Sequence, residues 1–330
     1  MKTAWMERSR KLLRAVIAGA LLLMSATSAG AQSYPTKNIH IIVAFAPGGG
    51  VDLSARTIAT KLRDALGQPV IVENRPGAGG QIAVEAVIRA QPDGYTFLTT
   101  SNSPIVIGPH LKTLGYDPVT ELTPVAILAW GMLGIAVNPS SPFKTLQELI
   151  ASAKQTAVGL NYSNPGIGTQ MHLAGELLKS FTGANLVAIP YKGAGPAAAA
   201  VISGEVPVAI SDLTSLLAHA EAGRVRLLAM ANSRRSTQAP QIPTVAESGV
   251  PGYGADAWTG IFAPAQTPRA VLDRVNAEIR RALAVPEVRD NMLKAGLEPV
   301  ALDPDASREV VISDSKKWQS VIKSANVKIE

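Results

Sequence analysis

The chain has 330 residues, of which 47% are hydrophobic, 17% are charged and 5% are aromatic. This composition is typical of a globular protein, and the length leaves room for roughly two domains of about 100–200 residues each. The absence of cysteine excludes disulfides, thiol nucleophiles and cysteine-bound zinc or iron–sulfur centres. The low aromatic content argues against extended stacking surfaces for single-stranded nucleic acid.

The first 31 residues have the pattern of a cleavable secretory signal. Five basic residues and one acidic residue precede an apolar core at positions 15–24, and small residues at 25–31 end in an A-x-A arrangement. That core is too short to span a bilayer, so we predict cleavage before Gln32 rather than a membrane anchor. Without this segment the chain has 31 − 5 = 26 basic and 25 − 1 = 24 acidic residues. This nearly balanced charge argues against a nucleic-acid partner. We therefore expect an exported protein of the periplasm.

Short β-branched runs alternate with helical patterns along the rest of the chain, which favours parallel α/β units. Strands are predicted at 39–45, 69–72, 96–100, 157–162, 186–191, 207–211 and 225–231. Helices are predicted at 51–66, 171–179, 196–203, 268–283, 286–295 and 305–323. Apolar segments at 122–137 and 257–263 are predicted to carry the chain between two lobes. We thus predict a signal peptide at 1–31, a first lobe at 32–133 plus 252–330 and a second lobe at 134–251, each lobe an α/β unit with a mainly parallel sheet flanked by helices.

Four predicted strands lead into glycine-containing turns that precede helices. These turns are APGGGVD (46–52), NRPGAGG (74–80), SNPGIGTQMH (163–172) and YKGAGP (191–196). Glycine lets backbone N–H groups face a ligand, and a helix N-terminus adds free donors and a partial positive charge. In parallel α/β lobes such turns lie at the carboxyl edge of the sheet, where ligands bind. The pattern indicates a site for a carboxylate or phosphate, although any single turn is equally consistent with a tight connection. We interpret NRPGAGG as a packed surface loop.

Catalytic motifs are weak in this sequence. The four histidines lack the spacing of a metal site, and no serine lies in a G-x-S-x-G elbow, so we predict no metal, no cofactor and no positioned base–nucleophile set. Gly193, Gly195 and Ala198, with Asp212 nineteen residues after Gly193, match the G-x-G-x-x-A form of a dinucleotide site. An exported enzyme and a dinucleotide-binding oxidoreductase therefore remain alternatives.

Seven motifs follow one another in a specific order: APGGGVDLSAR, NRPGAGGQIA, PDGYTFL, NYSNPGIGTQMHLAGE, IPYKGAGP, PTVAESGVPGY and WTGIFAP. From about Tyr34 to the C-terminus this order resembles the solute-binding receptors of tripartite tricarboxylate transporters, often called Bug receptors. The resemblance implies a two-lobe periplasmic binding protein (a Venus flytrap, type II-like) that closes on a small organic anion. The ligand would be a di- or tricarboxylate, an acidic amino acid or an aromatic carboxylate. We expect a non-enzymatic monomer whose partner is a membrane permease of the tripartite tricarboxylate type or a sensor protein.

The glycine turns and the resemblance together predict one ligand site. Its predicted residues are Phe45, Ala46, Pro47, Gly48, Gly49, Gly50, Asp52, Ser101, Asn102, Gly166, Gly168, Thr169, His172, Tyr191, Gly193 and Asp212. Asp52 is more simply explained as a cap of the helix that begins at Val51, and His172 as an ordinary helix residue. Lys192 is interpreted as solvated and Trp258 as a residue of the core or hinge.

Overall fold

The computed structural model describes residues 34–328, and the chain from Lys37 onward is built on two β-sheets. The predicted signal segment, residues 1–31, lies outside the described residues. Helices flank both sheets, which confirms the predicted two-lobe α/β fold. Between residues 34 and 328, no helix combines the length and the apolar character that crossing a bilayer requires.

The strands are short and most of them begin within three residues of their predicted position. In chain order they are β1 (Ile39–Val43), β2 (Val70–Asn74), β3 (Thr96–Ser101), β4 (Leu122–Gly131), β5 (Leu133–Val137), β6 (Leu160–Asn164), β7 (Leu186–Pro190), β8 (Val208–Asp212), β9 (Arg226–Met230), β10 (Ala257–Pro264) and β11 (Leu297–Pro299).

The helices include all six that the apolar periodicity predicts, with ends shifted by a few residues. They are α1 (Gly50–Leu66), α2 (Gln81–Ile88), α3 (Gly108–Leu111), α4 (Pro118–Glu121), α5 (Leu146–Gln155), α6 (Gln170–Thr182), α7 (Ala194–Ser203), α8 (Leu213–Glu221), α9 (Arg269–Ala284), α10 (Pro286–Lys294) and α11 (Pro304–Ser324). A 3-10 turn at Ala78–Gly80 and a π-turn at Ser103–Ile107 complete the described elements.

Both sheets are mixed, whereas the sequence predicts mainly parallel ones. The first has the order β11-β4-β10-β3-β1-β2, with β1 parallel to β2 and β3, while β10 is antiparallel to β3 and β4, and β11 is antiparallel to β4. The second has the order β7-β6-β8-β5-β9, with β6 parallel to β7 and β8, and β5 antiparallel to β8 and β9. Strands β4, β5 and β10 lie where the chain passes between the sheets. A strand that arrives from the other sheet needs no crossover helix, so it is free to pair antiparallel.

The core follows from the apolar runs. Nearly every residue of β4 and β10 is buried, because these strands lie inside the first sheet with both faces covered. Helix α1 packs against β1 and β3, and it buries Ala55, Ile58 and Leu62 at the spacing expected of one helix face. It ends at Gly67, whose φ of 69° is the left-handed conformation typical of a residue just past a helix.

The strands of the first sheet fall within residues 39–131 and 257–299, and those of the second within 133–230. The lobe bounds at 32–133, 134–251 and 252–330 stay a prediction, because strand membership assigns the strands and leaves the loops undecided.

Candidate functional site

The first edge of the candidate site is formed by β1, β2 and β3. These strands are parallel and in register, with Val43 opposite both Asn74 and Thr99, so their carboxyl ends lie at one edge of the sheet. The residues that follow β1 form an exposed loop, residues 46–49, which leads into α1. Ser101 ends β3 at the same edge, and Asn102 follows it as a buried side chain.

Asp52 holds this first loop in place from beneath. Its buried carboxylate accepts hydrogen bonds from the Gly48 N–H at 2.9 Å, from Asn74 Nδ2 at 2.8 Å and from Arg56 Nε at 3.0 Å. Burial alone would raise the pKa of this carboxyl, but the three donors together hold the pKa below its ordinary value. Helix α1 begins at Gly50 with Gly49 as the N-cap residue, so the expectation that Asp52 caps a helix starting at Val51 is corrected: Asp52 lies within the first turn and reaches back to Gly48.

The first loop leaves two backbone donors unused. The Gly48 N–H is taken by Asp52, whereas the N–H groups of Gly49 and Gly50 have no acceptor in the part of the chain that the structure describes. Both belong to the start of α1, where the helix leaves its first N–H groups unpaired and carries a partial positive charge. These two donors suit an anion that lies in front of the loop.

The second edge is formed by the parallel strands β6, β7 and β8. Their carboxyl ends carry Asn164, Pro190 and Asp212, and hydrogen bonds join the loops that follow. The Tyr191 N–H donates to Asn164 O at 2.8 Å, and the Gly193 N–H donates to the carbonyl of residue 165 at 3.2 Å. The two glycine turns of the second sheet are therefore one assembly.

The loop before α6 is ordered by its own side chains. The Thr169 hydroxyl donates to Gly166 O at 2.7 Å and accepts from the His172 N–H at 3.3 Å, which makes it the cap of α6. His172 is buried, which lowers the pKa of its imidazole, and the neutral ring accepts from the Gly168 N–H through Nδ1 at 3.2 Å. The tip residue, Ile167, lies between these contacts, with its N–H unpaired in the described structure and its side chain 53% exposed.

Tyr191, Gly193 and Asp212 complete the second edge. The Tyr191 hydroxyl donates to Glu205 Oε1 at 2.8 Å, so its hydrogen already has an acceptor on the protein. Gly193 has a φ of 110°, a conformation that only glycine adopts readily. Asp212 is half-buried, and burial raises the pKa of its carboxyl from 3.8 to about 6.

The two edges face one another across a shared cavity. Asn102 Nδ2 donates to Gln170 Oε1 at 2.8 Å, and this buried hydrogen bond links the end of β3 to the start of α6. Beside it lies a cavity of about 330 Å³ that is lined from both sheets. Among the predicted site residues, Phe45, Ser101, Gly168 and Thr169 line this cavity.

The remaining predicted residues occupy four kinds of position. The exposed first loop consists of Ala46, Pro47, Gly48 and Gly49, and Gly50 starts the helix after it. Asp52 and His172 are buried beneath their loops, and Asn102 joins the edges. In the second sheet, Asp212 ends a strand, and the residues that follow strands are Gly166, Tyr191 and Gly193. Whether they contact a ligand stays a prediction.

The structure also adds lining residues that sequence reasoning missed. Ala78 and Gly79 belong to the NRPGAGG turn, which we interpreted as a packed surface loop, and both line the cavity. Arg75 is exposed and paired with Glu73, as the interpretation as a surface loop requires, and Ala78 has a φ of 48°. The turn therefore lies at the surface and also lines the cavity. The available signal was the glycine run itself, which we discounted because of the Arg-Pro before it.

Comparison with known proteins decides the family. A model described as the tripartite tricarboxylate transporter family receptor matches residues 54–327. The chain belongs to this family. BugT of Bordetella pertussis is 36% identical over 307 residues, which are 92% of this chain and 94% of BugT.

Two solved structures resemble this receptor over their whole length. R. palustris Rpa4515 with adipate is 32% identical, with a TM-score of 0.73 and coverage of 89% of this chain and 99% of that chain. MatC (Rpa3494) from Rhodopseudomonas palustris with bound malate is 30% identical, with a TM-score of 0.70 and coverage of 88% of this chain and 100% of that chain. The predicted resemblance to the Bug receptors is confirmed.

Trp258 of the receptor is a core residue. It is 1% exposed, and its Nε1 donates to Asp314 Oδ2 at 2.8 Å. Lys317 pairs with the same carboxylate at 2.8 Å and donates to Gly254 O at 3.1 Å. This network fastens α11 to the chain just before β10, in agreement with the interpretation of Trp258 as a core or hinge residue.

One serine–histidine pair lies beside a different cavity of the receptor, about 580 Å³ in volume. His110 Nε2 is 3.0 Å from Ser315 Oγ, a contact that the spacing of these residues in the sequence does not indicate. Ser315 lies inside α11, whose backbone N–H groups are engaged in the helix, and it therefore lacks the free donors that stabilise an oxyanion. Within residues 34–328, no group of three or more potential metal ligands is present.

Proposed function

We propose that this receptor binds a small organic carboxylate between the two sheet edges and releases it to a permease of the tripartite tricarboxylate type. The observation that supports this most strongly is the set of unpaired backbone N–H groups at Gly49, Gly50 and Ile167, which belong to opposite edges. Hydrogen bonds to a charged group contribute about 1.5–3 kcal/mol each, so three of them approach the ~8 kcal/mol of micromolar affinity. The adipate and malate bound to the two similar structures have the same chemistry.

The same geometry supplies a mechanism of capture. A ligand that touches both edges favours the state in which the edges face each other, because only that state makes every contact. The Asn102–Gln170 hydrogen bond belongs to this state, since it joins the two edges directly. Opening would break it, and a bound carboxylate would oppose opening.

The proposed location is the periplasm. The basic start, short apolar core and small-residue end of residues 1–31 support export, and membership of a receptor family supports a transport role. Docking on a sensor protein instead of a permease is the alternative use of the same closed state.

The dinucleotide alternative is not supported by the strand order. In a dinucleotide fold the glycine turn and the acidic residue follow neighbouring strands. Here Gly193 follows β7 and Asp212 ends β8, and β6 lies between these strands, which separates the two positions by about 10 Å. For an exported enzyme, the discriminating result is turnover of a candidate acid by the purified protein.

Gly49 offers the sharpest test of the site. No heavy atom lies within 4 Å of the position a Cβ would take, and its φ of −80° suits any residue. Gly49→Glu places a carboxylate in front of the donors, while Gly49→Ala keeps the donors and adds a methyl group only. Gly168→Glu is a poorer test, because the φ of 77° at Gly168 would strain the variant.

The measurement is titration calorimetry with malate and adipate, after unfolding and refolding to remove retained ligand. We expect Gly49→Glu to weaken binding at least about 100-fold through like-charge repulsion, and Gly49→Ala to stay within about threefold of the parent. Both variants should unfold at the parent temperature without ligand. Wild-type affinity in Gly49→Glu would remove this loop from the site, and binding of nucleotides but of no acid would refute the proposal.

A further inference from the structure

The walls of the 330 Å³ cavity have an unequal distribution of polarity. The polar part of the lining consists of Ser101, Ser103, Gln81 and Thr169, and the Thr169 hydroxyl already donates to Gly166 O. The apolar part of the lining consists of Phe45, Pro104, Ile107, Leu111, Leu114 and Ile167. Among the described lining residues, Lys112 alone carries a charge, and it is exposed.

Ile167 is the most informative of these residues. Its side chain is 53% exposed, yet it lies at the tip of a loop that is tied down on both sides by the Thr169 and His172 contacts. A half-exposed isoleucine that lines a cavity leaves apolar surface in water until a ligand covers it. The neighbouring N–H of the same residue is unpaired, so a ligand that places its carboxylate on this loop brings its body against the isoleucine side chain.

From this arrangement we infer that the preferred ligand is a monocarboxylic acid with an apolar body, an aliphatic chain or an aromatic ring, rather than a compact di- or tricarboxylate. The inference rests on the proposed function and narrows it to one class of acid. A second carboxylate would be desolvated against Phe45, Leu111 and Ile167, which offer it no hydrogen bond. The exposed Lys112 compensates little, because an ion pair in water adds little to affinity. A volume near 300 Å³ is at the small end of ligand cavities, which fits an acid of this kind.

The experiment compares acids that differ in one property at a time. Acetate, butyrate and hexanoate vary the length of the apolar body, while hexanoate and adipate share six carbons and differ by one carboxylate. Malate serves as the compact diacid. Affinities are measured by titration calorimetry on the purified, refolded protein. Each methylene that becomes buried should tighten binding roughly fourfold, and hexanoate should bind at least about tenfold more tightly than adipate and malate.

Two variants locate the apolar contact. Ile167→Ser should weaken hexanoate binding about fivefold and leave acetate within about twofold, because the lost surface faces only the body of the acid. Ile71→Ser is the matched control: this isoleucine of β2 is 41% exposed and does not line the cavity, so the same change should leave the affinities for hexanoate and acetate unchanged. Ile167 is exposed enough that its replacement should leave the unfolding temperature nearly unchanged.

The outcomes separate the inference from the proposed function. Adipate or malate binding as tightly as hexanoate, or an Ile167→Ser variant with an unchanged dependence on chain length, would overturn the inference and leave the carboxylate receptor standing. Binding of none of these acids would overturn both.

Discussion

Replacing Asp212 by asparagine is expected to stabilise the free protein near neutral pH. The carboxyl group is half-buried at the end of β8, and burial raises its pKa from 3.8 to about 6. Within residues 34–328, no side chain or backbone group other than its own N–H donates to it. A desolvated carboxylate whose only donor is its own N–H destabilises the folded state at every pH at which it is ionised.

The magnitude follows from the two pKa values. At about 1.4 kcal/mol per pH unit, the difference between 3.8 and about 6 corresponds to about 3 kcal/mol. Asparagine removes the charge but keeps a polar amide with no partner beyond the same N–H, at a cost of about 1 kcal/mol, so the expected net gain is about 2 kcal/mol. For a chain of this length that gain raises the unfolding temperature by about 4 °C.

The pH dependence gives the prediction its sign. Between about pH 4 and pH 6 the folded protein holds the proton of Asp212 more tightly than the unfolded chain does. This group therefore lowers the free energy of unfolding progressively as the pH rises through that window, and its penalty is constant above it. Asp212→Asn should gain stability at pH 7.5 and lose most of the advantage near pH 4, where the parent carboxyl is protonated in the folded state and ionised in only about half of the unfolded chains.

Thermal unfolding of refolded, ligand-free protein at pH 4, 5 and 7.5 measures this effect. Asp290→Asn is the control, because Asp290 is an exposed aspartate of α10 with no ion pair among the described residues, and its replacement should shift the unfolding temperature by less than about 1 °C. A destabilised Asp212→Asn variant at pH 7.5, or a gain that persists at pH 4, would refute the reasoning. It would show that the carboxylate is paired or hydrated in the folded protein.

Two further predictions concern the loops and the core beneath them. Thr169→Ala and Thr145→Ala each remove a helix cap, so each should lower the free energy of unfolding by about 1 kcal/mol in chemical denaturation. Only Thr169→Ala should weaken carboxylate binding in calorimetry, because Thr145 caps α5 and does not line the cavity. Equal affinities of the two variants for the carboxylate would exclude Thr169 from the site. Gly175→Ala should lower the free energy of unfolding by about 2 kcal/mol, because a Cβ at this position would overlap the buried Tyr162 ring. Overpacking costs up to about 3 kcal/mol, whereas the better helix propensity of alanine recovers only about 1 kcal/mol. An unchanged unfolding temperature would contradict this packing.

The sequence determined the elements and the family because both depend on local pattern. Alternating apolar runs and glycine-terminated helices place β1, α1, β6 and α6 within a few residues of their observed bounds, since burial of one face requires that periodicity wherever the element lies. The order of seven motifs was sufficient to identify the receptor family, which the family model confirms for residues 54–327.

Only the tertiary structure decided which donors are free and which residues meet. The spacing of glycines cannot show that the Gly48 N–H donates to Asp52 while the Gly49 N–H is left unpaired. The orientation of the Asp52 carboxylate depends on where α1 begins and on Asn74, which lies 22 residues farther along the chain. Likewise, Asn102 and Gln170 are 68 residues apart and meet only because two sheets bring their edges together. Long-range packing, rather than local propensity, sets the geometry of this site.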